Sequence, residues 1–228
     1  MALHDAFDAV RTRIADAAAR SGRDPESIRL VAVSKTVGAE RVIEAQTLCG
    51  QQLFGENRAD ELVRKVEACQ HYPVIDFHFI GTLQTNKVRK VVGKTSLIHS
   101  VDSQRLLTQI DKCAQEIGII QSVLLQVNIS GEEAKHGIEA KELDALLHFA
   151  NSELKATQIN GLMTMAPNLA SKDIRWVFEG LRELAQKSDR NGPRVALSEL
   201  SMGMTGDFEV AIEEGATLVR IGTALFTV

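Results

Sequence analysis

Eight short apolar runs alternate with amphipathic segments along the 228 residues of this chain, and this alternation constrains the fold more than any other feature. Most of these runs are too continuous for a sheet with one face in water, which favours a parallel sheet with helices outside it. A count of eight favours a closed barrel, with an open doubly wound sheet as the alternative because the second run is very short. The predicted strands are residues 30–35, 53–55, 74–80, 97–101, 122–129, 159–165, 196–202 and 216–221.

One further helix is predicted before the first strand. Leu3, Phe7, Val10 and Ile14 recur at helical spacing, which predicts an amphipathic helix over residues 3–20. The chain is therefore predicted to be an α/β protein, a (β/α)8 TIM barrel with an extra N-terminal helix. The helices between the eight strands are predicted at residues 40–48, 57–68, 84–92, 103–117, 140–150, 172–187 and 208–214.

Composition and charge restrict the classes of function. With 44% hydrophobic residues the chain can form one core, so we expect a single domain over residues 1–228. The net charge of −4 argues against nucleic acid as a partner. Cys49, Cys69 and Cys113 lack metal-ligand spacing and favour a reducing compartment. We recognise neither a signal peptide nor an apolar run of roughly 20 residues, and therefore expect a cytoplasmic protein without a membrane partner.

The loops after the last two predicted strands carry residues suited to binding a phosphate. Gly203 and Gly206 follow the seventh strand, and Gly222 and Thr223 follow the eighth. Glycines allow backbone N–H groups to approach an anion, and the N-terminus of a following helix adds a favourable dipole. Two such loops in succession are typical of the phosphate site of an eight-stranded α/β barrel.

Closure of a barrel places the first strand beside the eighth, so Lys35 and Arg220 are expected to lie close together at one mouth. A partly desolvated lysine beside a cation binds its proton less tightly, and a neutral amine can attack an aldehyde to form a Schiff base. Together with a phosphate site, this favours pyridoxal 5′-phosphate (PLP) as the ligand, with Arg220 against its ring nitrogen. The alternatives are a lysine turned to water and a structural arginine paired with Glu199 or Glu213.

These residues belong to motifs through which the chain resembles the pyridoxal phosphate homeostasis protein family. The motifs are Ala32-Val33-Ser34-Lys35, Phe54-Gly55-Glu56-Asn57, His78-Phe79-Ile80-Gly81, Leu83-Gln84-Thr85-Asn86-Lys87, Gly161-Leu162-Met163, Ser201-Met202-Gly203-Met204 and Val219-Arg220-Ile221-Gly222-Thr223.

The resemblance implies a barrel like the N-terminal domain of alanine racemase, which is fold type III among PLP-binding proteins. It implies that PLP forms a Schiff base with Lys35, that Arg220 faces the ring nitrogen, and that the phosphate is contacted by Ser201, Gly203, Gly222 and Thr223. It further implies a role in vitamin B6 homeostasis, in which the protein holds PLP and supplies it to apo-enzymes without an established turnover reaction. We expect a monomer.

Other residues near predicted strand ends have two interpretations each. Asn57 either lines the cofactor site or caps the following helix, and His78 suits a hydrogen-bonded core histidine better than an acid or base. Met163 is a candidate for cofactor contact, although methionines near strand ends also suit packing. The basic segment with Lys87, Arg89, Lys90 and Lys94 is either a solvated helix face or a docking patch for an acidic partner or for nucleic acid.

Two other functions are compatible with the sequence. The first is a PLP-dependent racemase, but by resemblance racemases with this barrel use a second, β-rich domain and a tyrosine base. The one tyrosine here, Tyr72, precedes the third predicted strand at the end opposite the predicted site. The second is a phosphate-binding barrel or interaction module without PLP, which requires Lys35 to face solvent.

Overall fold

The computed structural model describes residues 2–132, 136–167, 174–188 and 192–227, and these contain a closed parallel barrel. Its strands follow chain order around the barrel, with β1 paired to β8. The closed barrel is thereby confirmed, and the open doubly wound alternative was wrong. The strands are β1 (Arg29–Val33), β2 (Leu53–Glu56), β3 (Asp76–Phe79), β4 (Leu97–Val101), β5 (Gln121–Gln126), β6 (Thr157–Met163), β7 (Val195–Ser201) and β8 (Leu218–Ile221).

Helices surround the barrel, and the extra N-terminal helix has the predicted bounds. Its buried face packs mainly against α8 and α9, next to the closing strands. The helices of the described residues are α1 (Leu3–Arg20), α2 (Ala39–Cys49), α3 (Ala59–Ala68), α4 (Val88–Val91), α5 (Gln104–Ile117), α6 (Leu143–Glu153), α7 (Arg175–Ser188), α8 (Phe208–Glu213) and α9 (Thr223–Phe226). None of them combines the length and apolar character needed to cross a membrane.

Several element boundaries differ from the predictions. The third strand begins later than predicted because Tyr72 and Ile75 close a turn that leaves Val74 exposed. The helix predicted over residues 84–92 is a 3₁₀ turn followed by the short α4, and α9 was not predicted at all. The predicted start of the helix at 172–187 lies outside the described residues. Short elements carry too little periodicity to be located from the sequence.

Two apolar clusters form the core. The larger lies between the strands and the surrounding helices, as expected for strands covered on their outer face. The smaller consists of strand residues that fill the barrel interior: Val31, Leu97, Leu124, Met163 and Leu218, with Leu53 packed against them. This filled interior means that a ligand can enter only at the ends of the barrel.

Candidate functional site

A cleft of about 440 Å³ opens at the carboxyl-terminal ends of the strands. Five of the eight predicted site residues line it, namely Lys35, Asn57, Arg220, Gly222 and Thr223. The barrel closure explains how the first and last motifs meet, since Val31 pairs with Arg220 and Ala32 with Ile221. The predicted proximity of the Lys35 and Arg220 segments at one mouth is therefore confirmed.

Lys35 follows the end of β1 on a tightly held backbone. The Lys65 ammonium donates to the carbonyl oxygen of Ser34 at 2.7 Å, and the Ser34 amide donates to the Gly55 carbonyl at 3.0 Å. The Lys35 side chain itself is exposed rather than partly desolvated as expected, because the cleft is open to solvent at this position. Its amine is thus accessible to a molecule that enters the cleft.

Below Lys35 lies a buried ion pair that the sequence analysis missed. The Lys65 ammonium donates to the Glu56 carboxylate, and the Ser34 hydroxyl donates to the same carboxylate oxygen at 2.6 Å. Lys65 and Glu56 are 3% and 0% exposed. Hydrogen bonds to this one oxygen offset part of the desolvation cost of the pair, while Glu56 Oε2 is buried without a hydrogen-bond partner in the described residues. It joins β1, β2 and α3 directly beneath the Lys35 backbone.

Arg220 is buried inside the opposite wall of the cleft. Its Nη1 donates to the Ser201 hydroxyl at 2.6 Å and its Nη2 donates to the Thr164 carbonyl at 3.0 Å. Burial lowers the pKa of Arg220 to about 10, and the Asp207 charge acts in the opposite direction. At that value the guanidinium still carries its charge at neutral pH.

The structural alternative for Arg220, an ion pair with Glu199 or Glu213, is wrong. Glu199 pairs with Arg29 at 2.6 Å, and Glu213 pairs with Arg20 and Arg175. Within the described parts of the chain, Arg220 forms no ion pair with a carboxylate. A buried cation that is bonded only to neutral acceptors is an unusual arrangement and favours a polar or anionic ligand.

The hydroxyl that holds Arg220 is linked to two buried histidines. Ser201 Oγ lies 2.8 Å from His99 Nδ1, and His99 Nε2 lies 2.8 Å from His78 Nδ1. The interpretation of His78 as a hydrogen-bonded core residue is confirmed. His99 was not predicted as part of the site. A histidine within the mainly apolar run at residues 97–101, which was predicted to neighbour the strand that carries His78, could have indicated a contact between the two side chains. Ser201 is fully buried and is not part of the cleft wall.

Asn57 lines the cleft and carries a buried polar atom without a hydrogen-bond partner. Its side-chain oxygen is buried without a hydrogen-bond partner, and its side chain makes no capping bond to α3. The alternative role of Asn57 as a helix cap is therefore wrong. Gly81 keeps this segment in place, since a Cβ there would lie 2.1 Å from the Asn57 carbonyl oxygen. A buried acceptor without a partner fits a site that a ligand completes.

The two glycine-rich loops differ in their contribution to the cleft. Gly206, Gly222 and Thr223 line it, and a Cβ added to Gly206 would meet no atom within 4 Å. Gly203 has φ +91° and lies outside the cleft wall, where a Cβ would approach that of Ala211 to 2.7 Å. Its carbonyl accepts from the Arg220 amide at 2.9 Å. Gly203 therefore shapes the loop, while the contacts to phosphate predicted for it and Ser201 remain predictions.

The remaining candidates lie elsewhere. Met163, the last residue of β6, is 1% exposed and belongs to the smaller apolar cluster that fills the barrel interior. Met165, two residues further along the chain, lines the cleft instead. Asn128 follows β5, and its side chain is bonded within its own turn to Glu132, Ser130 and Gly131.

Further cleft residues were missed as site residues by the sequence analysis. Thr82, Gln126, Met204 and Thr205 line the cleft, and no motif marked them as ligand contacts. Gln126 donates to the His136 carbonyl at 3.0 Å, so part of its hydrogen-bonding capacity is already used. These residues lie at or just after the carboxyl-terminal ends of strands, and the exact position at which each strand ends decides whether they line the cleft.

The basic segment outside the cleft is largely neutralised by neighbouring carboxylates. Lys87 and Lys90 both bond to Asp60, at 3.1 Å and 2.5 Å, and Arg89 pairs with Glu116. The hydrogen bonds from Lys90 and Lys87 lower the pKa of Asp60 to about 2. These contacts support the interpretation of a solvated helix face.

Comparisons with known proteins agree with this geometry. The family model described as alanine racemase, N-terminal domain, matches residues 6–228. A pyridoxal phosphate homeostasis protein of Aquifex aeolicus is 46% identical over 218 residues, which cover 95% of this chain and 94% of the relative. A crystal structure of an unknown protein from Bifidobacterium adolescentis has a TM-score of 0.92 at 36% identity and covers 98% of this chain and 94% of that one.

A structure of PipY from Synechococcus elongatus with PLP bound has a TM-score of 0.82 at 38% identity. The match covers 93% of this chain and 99% of that chain. Because these likenesses extend over almost the whole sequence at this level of identity, the chain belongs to the pyridoxal phosphate homeostasis protein family.

Proposed function

We propose that this chain binds PLP in the cleft through a Schiff base with Lys35 and holds it for supply to apo-enzymes in intracellular vitamin B6 homeostasis. The observation that carries the proposal is the pairing, at one cleft, of an accessible lysine amine with a buried arginine bonded to neutral acceptors. The amine can attack an aldehyde, and the guanidinium can donate to a ring nitrogen.

The size and lining of the cleft fit this cofactor. Its volume of about 440 Å³ lies within the range of roughly 300–1,000 Å³ that small-molecule sites occupy. Gly206, Gly222 and Thr223 offer close backbone approach and a hydroxyl to a phosphate, and Asn57, which also lines the cleft, has a buried side-chain oxygen without a hydrogen-bond partner. Ser201 and Gly203 are proposed by family resemblance to add phosphate contacts.

The position proposed for Arg220 also bears on catalysis. PLP supplies an electron sink for carbanion chemistry, and that property is strongest when its ring nitrogen is protonated. A permanent cation against this nitrogen disfavours the protonated form. We therefore infer a carrier rather than an enzyme, in agreement with the names of the relatives as homeostasis proteins. From the sequence we further propose that it is cytoplasmic and monomeric.

The first experiment is the visible spectrum of the purified protein after incubation with PLP. Wild type is compared with Lys35→Ala and with Lys94→Ala, an exposed lysine outside the cleft, before and after borohydride reduction. We expect a yellow wild type and K94A whose reduced adduct maps by mass spectrometry to Lys35, and complete loss of this adduct in K35A.

Two results would overturn the proposal. Colourless wild-type protein, or an adduct on another lysine, would favour a phosphate-binding barrel without PLP. Rapid racemisation of alanine by the PLP-loaded protein would favour the enzyme alternative.

A further inference from the structure

A continuous chain of hydrogen bonds crosses the interior of the barrel behind the cleft. It runs from Arg220 through Ser201 and His99 to His78, with separations of 2.6, 2.8 and 2.8 Å. At its far end His78 lines a second cleft, of about 370 Å³, at the amino-terminal end of the strands. The four residues come from β8, β7, β4 and β3, so the chain connects strands that are distant in sequence.

The direction of these hydrogen bonds follows from the donors available. A guanidinium can only donate, so the Ser201 oxygen accepts from Arg220. The Ser201 hydroxyl has a single proton, and among the described residues His99 Nδ1 is the only acceptor within hydrogen-bond distance of it. His99 Nδ1 is therefore unprotonated.

The same argument extends to the second histidine. Burial lowers the pKa of His99 well below its usual value, so the ring is neutral and carries its one proton on Nε2. That proton is donated to His78 Nδ1. His78, whose pKa burial lowers to about 3, is likewise neutral and protonated on Nε2. Each of the three hydrogen bonds between these four residues thus has one donor and one acceptor.

We propose that His99 and His78 are positioning residues that turn the Ser201 hydroxyl proton away from Arg220 and so hold the guanidinium toward the cleft. A hydroxyl whose proton is bound by His99 presents only lone pairs to Arg220. Without His99 the proton is free to turn toward the guanidinium, which weakens the only hydrogen bond from Arg220 to another side chain in the described residues. The link to cofactor binding rests on the proposed function, whereas the hydrogen-bond chain does not.

The first test needs no PLP. Nitrogen NMR of the protein without added ligand is expected to show His99 and His78 both protonated on Nε2 and not on Nδ1. The two Nη signals of Arg220 are expected to be resolved, because its guanidinium is held at both nitrogens.

Two variants of similar size separate positioning from packing. In His99→Asn the side-chain oxygen can replace Nδ1 as the acceptor for Ser201, whereas His99→Leu offers no acceptor. We expect averaged Arg220 signals and about tenfold weaker PLP binding in H99L, with H99N within about threefold of wild type. Ser201→Ala removes the bridging hydroxyl and, in the protein without PLP, is expected to show averaged Arg220 signals like H99L, which keeps the test valid if H99L does not fold.

Several outcomes would overturn the inference. They are protonation of either histidine on Nδ1, resolved Arg220 signals in both H99L and S201A, or equal loss of PLP binding in H99N and H99L. If wild type fails to bind PLP but the NMR results are as expected, the proposed function fails and the positioning role stands.

Discussion

Two cations are buried at the carboxyl-terminal end of this barrel, and their surroundings differ in one respect. Lys65 is bonded to the carboxylate of Glu56 and to a carbonyl oxygen. Arg220 is bonded to the Ser201 hydroxyl and to the Thr164 carbonyl, with no carboxylate at ion-pair distance in the described part of the chain. The charge of Lys65 is matched within the fold, while that of Arg220 is not.

The difference separates a structural cation from a binding one. Burying a charge is costly unless it is paired, so an internally paired lysine contributes to the fold that supports Lys35. An arginine that the fold desolvates but does not neutralise is available to a ligand at the cleft. The two networks should therefore respond differently to mutation and to pH.

The largest expected effect of a single substitution on stability is at the paired cation. Lys65→Met leaves the Glu56 carboxylate buried and uncompensated, which we expect to lower the free energy of unfolding by about 3–5 kcal/mol. The double variant K65M/E56Q should recover part of this loss in urea unfolding. Lys141→Met, at an exposed pair with Glu139, is the matched control and should cause no measurable change. A K65M variant as stable as wild type would contradict the comparison.

The next effect is the pH dependence contributed by the Arg220 network. The folded-state pKa of His78 is lowered from 6.5 to about 3, and that of His99 is also lowered, first by burial and then by His78 and Arg220. At a pH below 6.5 but above the lowered pKa of each histidine, the unfolded chain binds protons that the folded protein does not bind. Stability is therefore complete above pH 6.5 and is lost as the pH falls, by up to about 1.4 kcal/mol per pH unit for each histidine.

Urea unfolding between about pH 7 and pH 4 measures this loss. The readout is the slope of stability against pH rather than its absolute value. The slope should be shallower in His78→Asn and shallower still in H78N/H99N, since asparagine does not titrate. Equal slopes in wild type and the double variant would show that the histidines are not the acid-sensitive groups.

The smallest effect on stability is expected at the unpaired cation. Arg220→Met removes a donor from Ser201 and Thr164 but also removes a desolvated charge and strands no carboxylate. We expect a change of less than about 2 kcal/mol in the ligand-free protein. PLP binding, followed by absorbance titration, should nevertheless weaken strongly. Destabilisation as large as that of K65M would show that Arg220 is structural after all.

Much of this site was predictable because its parts follow regular strands. Lys35, Gly222 and Thr223 each come directly after an apolar run, and parallel strands bring such positions to one end of the barrel. Met163 and Met165 show the limit of this reasoning. The shift of one strand end by two residues moves the contact from the first methionine to the second, and propensity does not locate strand ends to that accuracy.

The sequence by itself determined the alternation of strands and helices, the count of eight strands that favours a closed barrel, and the residues in the loops after these strands. These properties depend on local periodicity and on the geometry of parallel strands. Only the tertiary structure decided that Lys65 pairs with Glu56 while Arg220 bonds to Ser201, and that His99 continues the second network. Such partners are set by which side chains share the barrel interior and by burial, and neither is encoded in the spacing of residues along one strand.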